Sequence, residues 1–168
     1  MEAVELLPGY DYPDEILSLF TEYTDMLVRL DPVFQRYLDI QHYEEEVRDL
    51  SAKYGPLDGR LYLARADGHA AGCIALRKLD QERCEMKRLY VRPAYRGRHI
   101  ARRLVDRLIA DARDAGYRRM LLDTLPCLSD AVRMYRKLGF HDIPRYNDSP
   151  LDTTLFMELE LSYESEIL

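Results

Sequence analysis

The sequence predicts a single α/β domain, residues 1–168, in which helices cover both faces of a mixed, mostly antiparallel sheet. Its 168 residues, of which 47% are hydrophobic, suit one core. Strand-like and helix-like segments follow one another in the order β-α-α-β-β-β-α-β-α-β-β, and no linker or repeat separates them. Tight-turn signals join the central strands as antiparallel hairpins.

The first third of the chain predicts a short strand and two helices. Residues 4–7 read as the strand, and residues 13–30 carry apolar side chains every three or four positions behind a first-turn proline. A second, less regular helical pattern runs over residues 31–54, and Gly55 ends it. The three glutamates at 44–46 indicate a solvated helix face.

Three strands follow in the middle of the chain. Residues 60–66 and 69–76 flank Asp67-Gly68, a two-residue turn typical of tight hairpins. A second turn near residues 80–81 leads to a strongly alternating strand at 83–91. These segments predict a three-stranded antiparallel unit.

The last third returns to alternating helices and strands. Residues 100–116 form an amphipathic helix pattern that ends at a glycine, and residues 120–122 read as a short strand. Ser129 is predicted to cap the helix at 129–138, and an alternating strand closes the chain at 154–161.

The charge is distributed unevenly along the chain. The net charge is −6, but residues 1–55 hold 13 acidic and 4 basic side chains, whereas six arginines and one acid lie between Arg92 and Arg107. A local basic patch suits one small polyanion, because nucleic acid usually requires a broader basic face. No apolar run reaches the ~18 residues of a membrane span, and the N-terminus lacks signal-peptide features. We therefore expect a cytoplasmic protein that binds neither nucleic acid nor membrane.

The three cysteines indicate no metal site. Cys73, Cys84 and Cys127 share no C-x-x-C spacing, so they fit neither a zinc site nor a disulfide framework. We interpret them as reduced thiols, and we expect no bound metal.

The segment 91–101 is the first candidate binding site. It joins a strand to an amphipathic helix, and the free N–H groups and dipole of a helix start attract anions. Gly97 allows close approach or a positive φ angle, and Arg96 and Arg98 add donors suited to phosphate. An ordinary turn with solvated arginines is the alternative for this segment taken alone.

The motif Arg96-x-x-His99-x-Ala101 resembles the acetyl-CoA signature of GNAT N-acetyltransferases, Arg/Gln-x-x-Gly-x-Gly/Ala. The family usually has glycine where this chain has His99, whose side chain can crowd a pyrophosphate or donate a hydrogen bond to it. Three more segments resemble the family's fourth strand, its later helix-to-strand motif and its closing strand, in the right order and spacing: residues 87–93, 131–140 and 154–159.

The resemblance implies the GNAT, or acyl-CoA N-acyltransferase, fold and transfer of an acetyl group from acetyl-CoA to a primary amine of a small molecule or peptide. Residues 58–161 would form the acetyl-CoA-binding core and residues 1–57 the acceptor-side helices. A dimer is common among similar proteins, so a homodimer is also implied. The implied acetyl-CoA contacts are Leu89, Tyr90, Val91, Arg96, Gly97, Arg98, His99, Ile100 and Ala101.

Attack on a thioester requires a neutral amine, so a base must remove a proton, directly or through water. Glu85 lies six residues before Val91, the spacing of the catalytic glutamate in the histone-type branch of the family. The alternative is a structural pair between Glu85 and Arg77 across the hairpin. Asp123, at the end of a short strand, is the reserve base or an amine anchor, and the alternative is a side chain that caps the following turn.

Tyr135 is the candidate acid. It matches the tyrosine that many family members place near the CoA sulfur, and a phenol is protonated at neutral pH. The alternative is an aromatic side chain that only packs on an amphipathic helix.

The acceptor is expected to be a cationic amine, because acidic residues dominate positions 1–55. Arg77 and Lys87 argue for a substrate carboxylate as well, which an amino acid or peptide terminus would supply. A longer acyl donor and a non-catalytic acyl-CoA-binding module remain the alternative readings.

Overall fold

The computed structural model describes residues 3–161; the ends of the predicted domain, residues 1–2 and 162–168, lie outside this part. Within it, seven strands form one sheet. The strands are β1 (Val4–Pro8), β2 (Arg60–Ala66), β3 (His69–Lys78), β4 (Arg83–Val91), β5 (Arg119–Thr124), β6 (His141–Asp142) and β7 (Leu155–Glu160). The α-helices are α1 (Pro13–Leu30), α2 (Phe34–Ile40), α3 (Tyr43–Arg48), α4 (Leu50–Tyr54), α5 (Ile100–Asp114) and α6 (Ser129–Leu138).

The strand order in the sheet is β1-β2-β3-β4-β5-β7-β6. Neighbouring strands are antiparallel except β4 and β5, which run parallel with α5 as the crossover between them. The mixed, mostly antiparallel sheet predicted from the sequence is therefore confirmed.

Alternating side chains of the sheet feed two apolar layers. On one face Ile74 and Met86 join a core with Leu104 and Leu108 of α5. On the other face, side chains such as Leu63 pack against α1. Helices therefore cover both faces, because strands buried on both sides need apolar partners on each.

The predicted second helix is three short helices. His42, between α2 and α3, adopts a left-handed backbone with φ 57°, which a continuous α-helix cannot contain. Asp49 has an extended backbone and caps α4 by accepting a hydrogen bond from the Ala52 N–H at 3.2 Å. The irregular apolar pattern of this segment reflects these two breaks.

Two local predictions for the chain between α2 and α6 were wrong. Glu46 is 4% exposed, so it does not belong to a solvated face as Glu44 and Glu45 do. Ser129 is the first residue of α6 rather than its cap; Leu128 holds the cap position, and no side chain there accepts a hydrogen bond from the helix.

A β-bulge distorts β4 opposite β3. Cys73 pairs with Tyr90 and Ala75 pairs with Lys87, so two residues of β4 face one residue of β3. The first of the two, Arg88, has φ 60°. β4 has already left β5 before this bulge, since their ladder joins only residues 83–85 to residues 119–121. The divergence opens a cleft between two neighbouring strands.

Candidate active site

A cavity of about 720 Å³ lies between the end of β4, the start of α5 and α6. It contains most of the residues predicted to contact acetyl-CoA, all except Arg98. The guanidinium of Arg98 lies 3.6 Å from the Asp67 carboxylate and over the Tyr95 ring. The predicted residues that line the cavity are Leu89, Tyr90, Val91, Arg96, Gly97, His99, Ile100 and Ala101.

The turn into α5 uses two left-handed residues. Gly97 has φ 83°, and a Cβ there would meet no atom within 4 Å, so the backbone angle rather than space requires glycine. His99 has φ 61° and precedes the first helical residue, Ile100. The left-handed conformation explains why glycine suits this position, and histidine is among the residues that adopt it more often than most.

The lining of this cavity is basic. Arg96, Arg102, Arg133 and Lys137 line it, together with the start of α5 and one acid, Asp130. The Arg96 Nε donates to the Val91 carbonyl at 3.1 Å, which fixes the turn to the end of β4. The first N–H groups of a helix lack intrahelical acceptors, so the cavity combines backbone donors and a helix dipole with four cations and one anion.

A second, smaller cavity of about 60 Å³ lies where β4 and β5 diverge. Four residues line both cavities, so the two spaces adjoin: Tyr23, Leu89, Leu128 and Ala131. The small cavity contains side chains from both strands, notably Lys87 and Asp123, and Tyr135 from α6. A narrow polar space thus continues from the inner end of the large one.

Tyr135 is 6% exposed and reaches this space from α6. Its ring packs 5.6 Å from that of Phe140. Burial, the neighbouring phenol of Tyr23 and the charge of Asp123 raise its pKa above the ordinary value, so it keeps its proton at neutral pH. No hydrogen bond joins its hydroxyl to another of the described residues. Tyr135 thus supplies a protonated donor to the small cavity.

Asp123 lies near the end of β5 and lines the small cavity. Its Oδ2 accepts hydrogen bonds from the Tyr37 hydroxyl and from the Asn147 Nδ2, the latter at 2.6 Å. Asn147 also donates to the Tyr37 oxygen at 2.9 Å, which closes a three-residue network. This network fixes the carboxylate, whose charge suits an amine anchor.

Glu85 and Arg77 line neither cavity. They pair across the β3–β4 ladder, with Arg77 Nε 2.6 Å from Glu85 Oε1, as the structural alternative predicts. The other oxygen, Oε2, accepts from the Tyr146 hydroxyl at 2.6 Å. Burial alone would raise the Glu85 pKa, but the charges of Lys87 and Arg77 and these hydrogen bonds outweigh it and lower that pKa. A carboxylate so stabilised is a weak base.

Sequence reasoning missed the partners that hold the β4 bulge. Arg88, 5% exposed, donates two hydrogen bonds to Glu46 of α3, at 2.8 Å and 2.9 Å. Gln41 accepts from Arg88 at 2.9 Å and from Lys87 at 3.0 Å. The partners lie 42 to 47 positions apart in sequence, and the unbroken charge pattern at 44–46 gave no signal of burial.

Among residues 3–161, no group of three or more His, Cys, Asp or Glu side chains is placed to hold an ion. Likewise, none of the helices in that range is both long and apolar enough to cross a membrane.

Comparison with known proteins gives a consistent match. Residues 18–140 match the family model described as Acetyltransferase (GNAT) family. An uncharacterized N-acetyltransferase of Schizosaccharomyces pombe is 39% identical over 127 residues, 74% of this chain and 78% of the relative. A protein named IAA acetyltransferase from Azospirillum brasilense is 35% identical over 156 residues, 89% of this chain and 99% of the relative.

A solved structure shows the same fold. The PaiA N-acetyltransferase of Thermoplasma acidophilum, a complex with coenzyme A, superimposes with a TM-score of 0.69 at 19% identity, covering 94% of this chain and 99% of that one. The sequence matches point to the same family as this fold, with its basic helix start beside a cleft between two strands. This chain belongs to the GNAT acetyltransferase family.

Proposed function

We propose that this protein transfers an acetyl group from acetyl-CoA to a primary amine of a small molecule or peptide, directly and without a covalent enzyme intermediate. The observation that carries the proposal is the pair of adjoining cavities. The larger has a basic helix start suited to a pyrophosphate, and the smaller holds a protonated phenol beside a carboxylate. An elongated substrate with a phosphate end and a reactive end fits this polarity.

Different parts of the cleft would bind different parts of the two substrates. Backbone donors at residues 96–101, with the surrounding cations, would hold the pyrophosphate. Residues 89–91 of β4 line the large cavity just beyond the bulge, where N–H groups freed from β5 would bind pantetheine and polarise the thioester carbonyl. Tyr135 would donate its proton to the departing sulfur, and Asp123 would hold the acceptor amine.

We expect acetyl-CoA to stabilise the protein against heat. A ligand at ~100 times its dissociation constant adds about 2.7 kcal/mol to the free energy of unfolding. Replacing Arg96 and Gly97 together with glutamate should abolish the rise in Tm, because the new carboxylates repel phosphate and Gly97 needs its positive φ. Differential scanning fluorimetry with and without acetyl-CoA measures both effects.

Arg118→Glu is the matched control for that experiment, since its side chain is 68% exposed and lines neither cavity. It reverses one charge and should leave the ligand-induced shift intact. A wild-type melting curve that millimolar acetyl-CoA does not move would contradict the proposed binding site.

Acceptor binding should depend on Asp123. We expect Asp123→Asn to raise KM for the amine by about 10- to 150-fold, since a hydrogen bond to a charged group is worth ~1.5–3 kcal/mol. The KM for acetyl-CoA should change little. Asp142→Asn is the control, because Asp142 is exposed on β6 and pairs with Arg136 instead. Equal amine KM values for the wild type and Asp123→Asn would remove Asp123 from the acceptor site.

Thiol release from acetyl-CoA tests the function itself. The acceptors to supply are methylamine, putrescine, glycine, glycinamide and a lysine-containing peptide, with products identified by mass spectrometry. Glycine and glycinamide differ in the carboxylate, so their ratio reports whether a substrate carboxylate is recognised. Tight acetyl-CoA binding without release for any amine would favour a non-catalytic acyl-CoA-binding module.

A further inference from the structure

The small cavity contains five ionisable side chains, which limits the groups that can remove a proton from an acceptor. They are Tyr23, Lys87, Arg88, Asp123 and Tyr135. Burial raises the pKa of Tyr23 to about 12 and raises that of Tyr135 as well, so both phenols keep their protons at neutral pH. Arginine stays protonated in proteins, which excludes Arg88. The carboxylate of Asp123 and the amine of Lys87 remain.

Asp123 is better placed to hold the acceptor than to deprotonate it. Its Oδ2 is already occupied by the donors of Tyr37 and Asn147, which fix the carboxylate in one orientation. A fixed negative charge beside the reaction space attracts an ammonium and keeps it there. With Asp123 holding the acceptor, Lys87 is the remaining candidate for removing its proton.

Lys87 lies opposite Asp123 on the diverging strand β4, with its side chain 7% exposed. Its Nζ donates to Gln41 Oε1 at 3.0 Å, and Glu85 Oε1 is 3.8 Å away. The same Gln41 oxygen also accepts from Arg88 at 2.9 Å, so two cationic side chains share this acceptor. The lysine amine is therefore buried near one anion and one cation at the edge of the cavity.

The charged side chains around Lys87 belong to three elements, β4, α4 and β5. Burial is the largest influence and lowers its pKa; Arg88 on β4 and Lys53 on α4 lower it further, whereas Glu85 on β4 and Asp123 on β5 raise it. The balance places the Lys87 pKa at about 8, so roughly a tenth of the side chain is neutral at pH 7. A base works best when its pKa is near the working pH.

We propose that Lys87 is the proton acceptor for the incoming amine and that Glu85 is a positioning residue which sets the charge of Lys87. This role rests on the acetyl transfer proposed above. Glu85, whose two oxygens are held by Arg77 and Tyr146 outside both cavities, acts on the reaction through its neighbour at 3.8 Å.

The proton balance closes with these residues. The acceptor ammonium, held by Asp123, gives one proton to the neutral Lys87 amine. Its freed lone pair forms the N–C bond at the thioester carbonyl, and the C–S bond breaks. The sulfur takes the hydroxyl proton of Tyr135, which regains one from the new nitrogen. Lys87 then returns its proton to solvent, so the products are the amide, the CoA thiol and one proton.

The pH profile of acetyl transfer separates Lys87 from Glu85. With acetyl-CoA and the fastest amine of the panel above, wild-type kcat should rise with pH, with its inflection near pH 8 and a plateau above it. Lys87→Arg keeps the charge but cannot deprotonate, so kcat at pH 7 should fall by ~10²–10⁴-fold. Glu85→Gln should stay active, and its inflection should move to lower pH, because removing an anion disfavours the ammonium.

The opposite pattern, in which Glu85→Gln loses the pH-dependent limb and Lys87→Arg keeps it, would overturn the proposal and restore Glu85 as the base. A wild type that releases no thiol with any amine would instead refute the acetyl transfer itself. Both variants lose one partner of a buried contact and should melt at a lower temperature; a cooperative melt above the assay temperature and a wild-type affinity for acetyl-CoA show that the comparison is between folded proteins.

A direct titration tests Lys87 without any acceptor. In protein with ¹³C-labelled lysines, saturated with CoA, the Lys87 resonance is assigned by its loss in Lys87→Arg. We expect a titration midpoint near pH 8 in the wild type and a lower midpoint in Glu85→Gln. A midpoint near the ordinary lysine value of ~10.4 would overturn the proposal, whatever the amine screen shows.

Discussion

Replacing Tyr135 with phenylalanine should lower kcat for acetyl transfer by ~10²–10⁴-fold and leave the affinity for acetyl-CoA nearly unchanged. The ring packs against Phe140, and phenylalanine keeps that contact. The lost group is a hydroxyl that stays protonated at neutral pH, on a residue that lines the small cavity. A donor needed only when sulfur departs contributes to the transition state and not to substrate binding. Steady-state kinetics and isothermal titration calorimetry measure the two effects separately.

Tyr117→Phe is the control for this comparison. Tyr117 is also a buried tyrosine, but its hydroxyl donates to the Asp58 carbonyl at 2.7 Å and lines neither cavity. It should lose some stability and keep its kcat. If kcat of Tyr135→Phe stays within a factor of two of the wild type, Tyr135 is only a packing residue and Tyr23 becomes the candidate donor.

The parts of the molecule that the sequence predicts well are those with local causes. The Asp67-Gly68 turn and the helix start after Gly97 depend on backbone angles that neighbouring residues specify. The buried face of α5 can be predicted because its apolar residues recur every four positions. Because the predicted acetyl-CoA contacts lie within one strand-turn-helix segment, a local pattern was enough to place nearly all of them on one cavity.

The acceptor side could not be predicted in the same way. Tyr37 and Asn147 meet at Asp123 from positions 110 residues apart, and only the folded chain brings them together. Tyr146 likewise reaches Glu85 across 61 positions. The sequence predicts the Arg77–Glu85 pair as one of two alternatives for Glu85. It does not show that Lys87 and Asp123, which carry opposite charges, both line the small cavity.

The burial of Glu46 also could not be predicted from the sequence, and the loss of its charge is the substitution from which we expect the largest loss of stability. In sequence it is the third of three glutamates, but it alone of them is buried, and it receives two hydrogen bonds from Arg88 and one from Lys53 at 2.6 Å. The arginine belongs to the β4 bulge beside the cleft. Glu46 therefore ties α3 to the distorted strand on which the proposed reaction depends.

The ionisation of Glu46 links this contact to pH. Burial alone would raise its pKa, but Arg88 and Lys53 outweigh burial and lower the pKa to about 2. A carboxyl whose pKa is lower in the folded than in the unfolded chain stabilises the fold above its unfolded pKa. That contribution, on the order of 3 kcal/mol, should be lost as pH falls from about 4.5 towards 2.

We therefore expect Glu46→Gln to lower the free energy of unfolding at pH 7 by ~3–5 kcal/mol, because it leaves the buried Arg88 charge without its partner. For a domain of this size the loss corresponds to a fall in Tm of about 6–20 °C. Glu45→Gln makes the same change one position away on the exposed side of α3 and should stay within ~0.5 kcal/mol of the wild type. Denaturant titrations of the three proteins at pH 7 and pH 3 measure both the size of the loss and its pH dependence. Similar unfolding free energies for Glu46→Gln and Glu45→Gln would show that the Glu46–Arg88 pair does not hold the bulge in place.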